Sequence, residues 1–194
     1  MTSHAAQTVT VTTTDADGTR ALGARVAALL RRGDLVMLSG GLGAGKTTLA
    51  QGIGSALNVR GRVSSPTFII ARVHPALGEG PDLIHVDAYR LSSLEEIDAL
   101  DLDSSLQESV TLVEWGEDKV EALSADRLEI AVGRPHGGLA RPGGAEADGG
   151  QETAPSDAAH GVTDLAEVDD GRRTITLTAV GPRWAGVDLD SLLA

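Results

Sequence analysis

Eight consecutive residues, Gly40-Gly41-Leu42-Gly43-Ala44-Gly45-Lys46-Thr47, fit the pattern G-x-x-x-x-G-K-[ST] in full. Each position has a chemical use. Glycines let successive backbone N–H groups turn inward around phosphate oxygens. A helix that begins at Lys46 adds its unpaired N-terminal donors and the positive end of its dipole. The pattern therefore places Gly41, Leu42, Gly43, Ala44 and Gly45 around a nucleotide's phosphates through their backbone. Lys46 would reach the β- and γ-phosphates, the Thr47 hydroxyl would ligate Mg²⁺, and Thr48 would add a contact to the α-phosphate. A glycine-rich turn that merely caps a helix is the plain alternative. The chain has only two lysines, Lys46 and Lys119, and at this composition a chance match arises roughly once in a few hundred such chains. The glycines do not form G-x-G-x-x-G, so a dinucleotide cofactor is not expected.

A bound Mg²⁺ needs an acid at the end of a neighbouring strand. Two candidates fit, Asp87 after Leu83-Ile84-His85-Val86 and Glu114 after Leu112-Val113. In a parallel α/β sheet the carboxyl ends of the strands share one edge with the phosphate loop, which is where ligands bind. Taken singly, either acid is as readily a helix cap or a solvated charge. His85 reads as a packed polar residue within a strand. Tyr89 reads as a ring that covers the core while its hydroxyl stays wet. Arg90 is open between a structural bridge and an arginine finger acting in cis.

The elements that must carry these residues follow from period and punctuation. Thr8–Thr14 alternates threonine and valine as a strand does. Leu22, Val26, Leu29 and Leu30 recur at helical spacing, with Arg31 and Arg32 in the last turn and Gly33 as the stop. Asp34–Leu38 is a short apolar run like a buried parallel strand, and a helix is expected from Lys46 to Leu57. Further strands are expected at Phe68–Val73, Leu83–Val86, Val110–Val113, Leu128–Val132 and Thr174–Val180, with a short helix over Leu94–Leu100. The last two strands form a hairpin and must pair antiparallel, so the sheet is expected to be mixed. The fold class is α/β: a P-loop domain with helices flanking that sheet, spanning residues 1–194 as one domain.

Composition bounds the rest. The chain has 194 residues, 16 basic and 28 acidic, for a net charge of −12. That balance argues against broad charge-driven binding to nucleic acid. The absence of cysteine excludes a disulfide scaffold, a thiolate zinc site and a cysteine nucleophile. No apolar run approaches a membrane span, and the start MTSHAAQTVT has no basic or apolar leader segment. A cytoplasmic protein with no membrane association is expected. Residues 134–170 hold eight acids against two arginines, a charge of −6, with no aromatic residue. So polar a stretch reads as a disordered insertion in the final hairpin, where a long loop costs little.

Four motifs occur in order: Gly43-Ala44-Gly45-Lys46-Thr47-Thr48, Ser65-Pro66-Thr67-Phe68, His85-Val86-Asp87-Ala88-Tyr89-Arg90-Leu91 and Val113-Glu114-Trp115. Together, over about residues 34–116, they resemble the motifs of the TsaE (YjeE) family. The 134–170 segment has no counterpart in that family's core, which resumes near Gly171-Arg172. The resemblance implies an ATPase, with ATP and Mg²⁺, required for threonylcarbamoyladenosine (t6A) formation in tRNA. It implies work beside TsaD and TsaB homologues, so that tRNA is met only through the complex. It also implies that Lys46, Asp87 and Glu114 form the catalytic set, with Asp87 as the Walker-B-like acid and Glu114 as a magnesium ligand or water-positioning base. Thr47, Asp87 and Glu114 would hold the metal, while Ser65 and Thr67 form a switch-like loop and Trp115 stands beside the γ-phosphate. A small-molecule P-loop kinase is the alternative, although the one long insertion lacks the arginine-rich character of a closing lid. A GTPase is weaker, because the guanine-reading N-K-x-D string is absent, and a non-catalytic nucleotide-binding adaptor would share the same loop.

Overall fold

The computed structural model describes residues 6–66, 71–89, 107–117, 124–134 and 170–193. Thr67, Arg90, the expected helix over 94–100 and the interior of the 134–170 segment lie outside the described residues. Strand β1 (Gln7–Thr13) buries Val9, Val11 and Thr13 on one face, as its alternation requires. Thr8, Thr10 and Thr12 line the other face, where the first two meet threonines of β7 (Arg173–Val180), with Oγ–Oγ distances of 3.1 Å for Thr8–Thr178 and 3.2 Å for Thr10–Thr176. Helix α1 (Ala16–Ala27) starts where the Asp15 carboxylate accepts the Gly18 N–H at 2.7 Å. Strand β2 (Leu35–Ser39) runs into the glycine loop, and helix α2 (Lys46–Ala56) leaves it. Strands β3 (Ala71–His74), β4 (Asp82–Asp87), β5 (Ser109–Glu114) and β6 (Arg127–Gly133) complete the set. Strand β3 is the described part of the run expected at 68–73.

The seven strands form one sheet in the order β1-β7-β6-β2-β5-β4-β3. Its centre, β6-β2-β5-β4, is parallel. The flanking pairs β1–β7, β6–β7 and β3–β4 are antiparallel, so the sheet is mixed and ends in a hairpin as expected. This register brings the end of β1, the glycine loop, Asp87, Glu114, the end of β6 and the start of β7 to one edge. No helix among the described residues is long and apolar enough to cross a membrane.

Helices α1 and α2 lie against each other closely enough to exclude side chains at the crossing. A Cβ at Gly52 would stand 2.1 Å from the Arg20 carbonyl oxygen, and one at Gly23 would stand 2.4 Å from that of Leu49. Leu22, Val26, Leu49 and Ile53 fill the core around this contact, each stabilising the fold by roughly 1.5–3 kcal/mol. The first helix is shorter than its apolar spacing implies. It stops at Ala27, and Leu29 and Leu30 donate instead three residues back, to Val26 and Ala27. The cause is tertiary. Arg183, in a short 3₁₀ turn after β7 (Pro182–Trp184), takes the Leu29 carbonyl and a bidentate bond to buried Asp34 at 2.7 and 2.8 Å. Asp34 in turn accepts the Arg31 N–H at 2.8 Å. Arg31 and Arg32 therefore leave the helix, and Asp34 precedes β2 instead of opening it.

Two stability measurements test these contacts. Replacing a helix-interior glycine by alanine ordinarily gains about 0.5–1 kcal/mol. Gly52→Ala is expected to lose about 1–2 kcal/mol in urea unfolding, because the added methyl forces the helices apart. A stabilised variant would refute the close crossing. Arg183→Met is expected to lose about 3 kcal/mol, because it strands a buried carboxylate; a loss near zero would show that Asp34 has no need of it.

Candidate functional site

The glycine loop is shaped by its own backbone and by two arginines outside it. Gly43 and Gly45 have φ of +70° and +109°, a region closed to most side chains. Gly45 is the N-cap of α2 and supplies no side-chain acceptor, so the first N–H groups of the helix stay available. Arg134, just beyond β6, donates to the Gly43 carbonyl from Nη2 at 2.7 Å and from Nε at 3.2 Å. Arg173, at the start of β7, donates to the Ala44 carbonyl at 2.6 Å. Across a trans peptide the carbonyl and the following N–H point opposite ways. Holding the Ala44 carbonyl toward Arg173 therefore sets the Gly45 N–H on the opposite side of that peptide.

Lys46 is 5% exposed. Its ammonium donates to the carbonyls of Gly40 at 2.7 Å and Gly41 at 3.1 Å, and it stands 3.8 Å from the centre of the Trp115 ring. Burial lowers its pKa from the ordinary lysine value, against the raising pull of Glu114, Glu117 and Asp87. Trp115 takes the strained φ of +61° and anchors its N–H on the Leu38 carbonyl at 3.1 Å, which turns the ring back over the loop. Tyr89 packs edge-on against Trp115 with centroids 5.3 Å apart and is 65% exposed. It covers the site's tryptophan and not the core, contrary to its sequence reading.

The two acids stand opposite each other in the β4–β5 register, and both are buried. Glu114 Oε1 accepts from the Thr47 hydroxyl at 3.0 Å and from His85 Nε2 at 2.9 Å. Asp87 accepts the Ser65 hydroxyl at 3.2 Å through Oδ2 and the Tyr89 N–H at 3.0 Å through Oδ1. His85 is the packed polar strand residue expected from sequence, fully buried, and its partner is Glu114 of the site. Arg172, where the family's core resumes, is an exposed arginine that pairs with Asp170 at 3.5 Å. Its neighbour Arg173 is the one on the loop. Nothing local in the sequence marked Arg134 or Arg173; only the hairpin register places them at this edge.

One cavity of about 550 Å³ is lined by residues 42–48 with Ser65, Asp87, Tyr89, Glu114 and Trp115, a size in the range of small-ligand pockets. It gathers the described residues assigned from sequence to phosphate, metal and switch, save Gly41, whose carbonyl holds Lys46. A second of about 190 Å³ adjoins it through Gly45 and Thr48 and is bounded by Ala16, Thr19, Gly171 and Arg173. The donor set at the acid end, a hydroxyl and two carboxylates, consists of hard oxygens suited to Mg²⁺. An uncapped helix N-terminus and a lysine at the other end suit phosphate.

Comparison with known proteins identifies the family and the fold. The family model described as "Threonylcarbamoyl adenosine biosynthesis protein TsaE" matches residues 13–139, ending within the 134–170 segment. A Streptomyces coelicolor protein named tRNA threonylcarbamoyladenosine biosynthesis protein TsaE is 51% identical over 174 residues, covering 89% of this chain and 98% of that one. The Bacillus subtilis protein of the same name is 37% identical over 63% of this chain and 75% of its own. The crystal structure of Bacillus subtilis YdiB superposes with a TM-score of 0.60 and 28% identity, covering 94% of this chain and 93% of that one. The fold is that of a P-loop NTPase, and the chain belongs to the TsaE family, whose members are named for threonylcarbamoyladenosine biosynthesis in tRNA.

Proposed function

We propose that this chain binds ATP with Mg²⁺ at the glycine loop and hydrolyses it, and that this cycle serves t6A formation beside TsaD and TsaB homologues. The observation that carries the reading is the Thr47–Glu114 hydrogen bond of 3.0 Å beneath an uncapped helix N-terminus. It couples the loop's hydroxyl to a strand-end acid, the pairing a magnesium nucleotide requires. Gly41 to Thr48 cradle the phosphates, and Lys46 leaves its two carbonyls for the β- and γ-phosphates. The second cavity, bounded by Ala16 and Thr19, takes the nucleoside end. Thr47, Glu114 and Asp87 would hold the metal, which would supply positive charge beside the phosphates. Asp87, joined to Ser65, and Glu114 orient the attacking water. Trp115 and Tyr89 exclude bulk water from the γ-phosphate side, which strengthens the electrostatics of the site. The whole chain acts as one catalytic domain, and tRNA is met through its partners.

Lys46→Ala and Glu114→Ala are each expected to lower ATP turnover by about 100-fold or more while circular dichroism reports an intact fold. Normal turnover in both would sink the site assignment. Adding TsaB and TsaD homologues is expected to raise wild-type turnover, and no change would remove the partner half of the reading. Arg173→Met is expected to weaken ATP binding about tenfold in calorimetric titration, by releasing the Ala44 carbonyl. Arg172→Met serves as its control and is expected to leave affinity unchanged. Equal losses in the two would contradict the role given to Arg173.

A further inference from the structure

His85 lies on β4 between Ile84 and Val86, two residues before Asp87, and is fully buried. It donates one described bond, from Nε2 to Glu114 Oε1 at 2.9 Å, since the carboxylate oxygen can only accept. Its Nδ1 is closed off from solvent and has no hydrogen-bond partner among the described residues. A side chain present for packing alone would be apolar like Leu83, Ile84 and Val86, and would leave no nitrogen unsatisfied. The unsatisfied nitrogen is tolerated beside a buried carboxylate that needs the other one. Glu114 Oε1 thus takes donors from two elements, Thr47 on α2 and His85 on β4, and two donors on one oxygen fix the plane of the carboxylate.

We propose that His85 is a positioning residue for the metal: it locks Glu114 so that the second oxygen, Oε2, is held toward the cavity for Mg²⁺ or its water shell. Thr47 can ligate through its oxygen and still give its proton to Glu114, so both donors persist when the site is loaded. The inference rests on the nucleotide–magnesium reading above and adds to it a residue outside the loop. Partners that orient metal-ligating carboxylates typically change metal affinity by roughly 10–100-fold when removed.

The test is calorimetric titration of the full chain with a non-hydrolysable ATP analogue, once with Mg²⁺ and once with EDTA. His85→Leu is expected to lose roughly tenfold or more in affinity with Mg²⁺ and to match wild type in EDTA. His85→Gln, whose amide N–H reaches the place of Nε2, is expected to recover most of the loss. Should His85→Leu fail to fold by circular dichroism, His85→Asn, whose amide falls short of Glu114, takes its place. Equal losses with and without Mg²⁺, no loss at all, or a glutamine no better than leucine would each overturn the proposal. Wild type that binds in EDTA but gains nothing from Mg²⁺ would overturn it too, while leaving nucleotide binding intact. Wild type that binds in neither buffer would refute the nucleotide reading itself, and this inference with it.

Discussion

A buried ammonium must find a replacement for water, and at Lys46 the replacement comes from the loop that holds it. Two carbonyls and an aromatic face surround the charge, and each fixes something else. The carbonyls of Gly40 and Gly41 set the curvature of the loop from inside. The ring of Trp115 reaches the ammonium because its backbone takes a left-handed turn pinned to the end of β2. The strain at that residue, of order 1–3 kcal/mol, is compensated by the cation–π contact it makes possible. Anions that enter the cavity compete with these ligands for a cation already desolvated.

The acid end answers the same constraint with the opposite sign. Glu114 is 3% exposed, and a carboxylate so placed is costly unless donors surround it. They come from different parts of the chain, a hydroxyl at the head of α2 and an imidazole on the adjacent strand. Between the two buried charges the described contacts include no direct ion pair, so neither neutralises the other outright. That separation leaves the lysine end suited to phosphate and the carboxylate end suited to a metal.

What could be read from sequence was what is encoded locally. The glycine loop, α2 and the parallel strands announce themselves through spacing, because phosphate binding and strand burial act on neighbouring residues. Asp87 and Glu114 were legible as strand-end acids, since parallel strands put all such ends at one edge. The misjudged residues depend on distant partners. The last turn predicted for α1 is undone by Arg183, which claims the Leu29 carbonyl from the far end of the chain. Tyr89 turns to Trp115, itself aimed by a backbone angle that no residue pattern signals. His85 is packed as expected, but a lone histidine on a strand carries no sign of which acid stands beside it. Arg134 and Arg173 come within reach of one loop only through the β6–β7 pairing.

The crossing of α1 and α2 has a consequence for what the site can measure. Where backbones touch without side chains between them, the helices cannot slide past each other without breaking the contact. The head of α1 bounds the smaller cavity and the head of α2 bounds the larger one, so the distance between the two ends is fixed by bare backbone. The pair of helices is a ruler, graduated by two glycines, that holds the walls of the two cavities at one spacing.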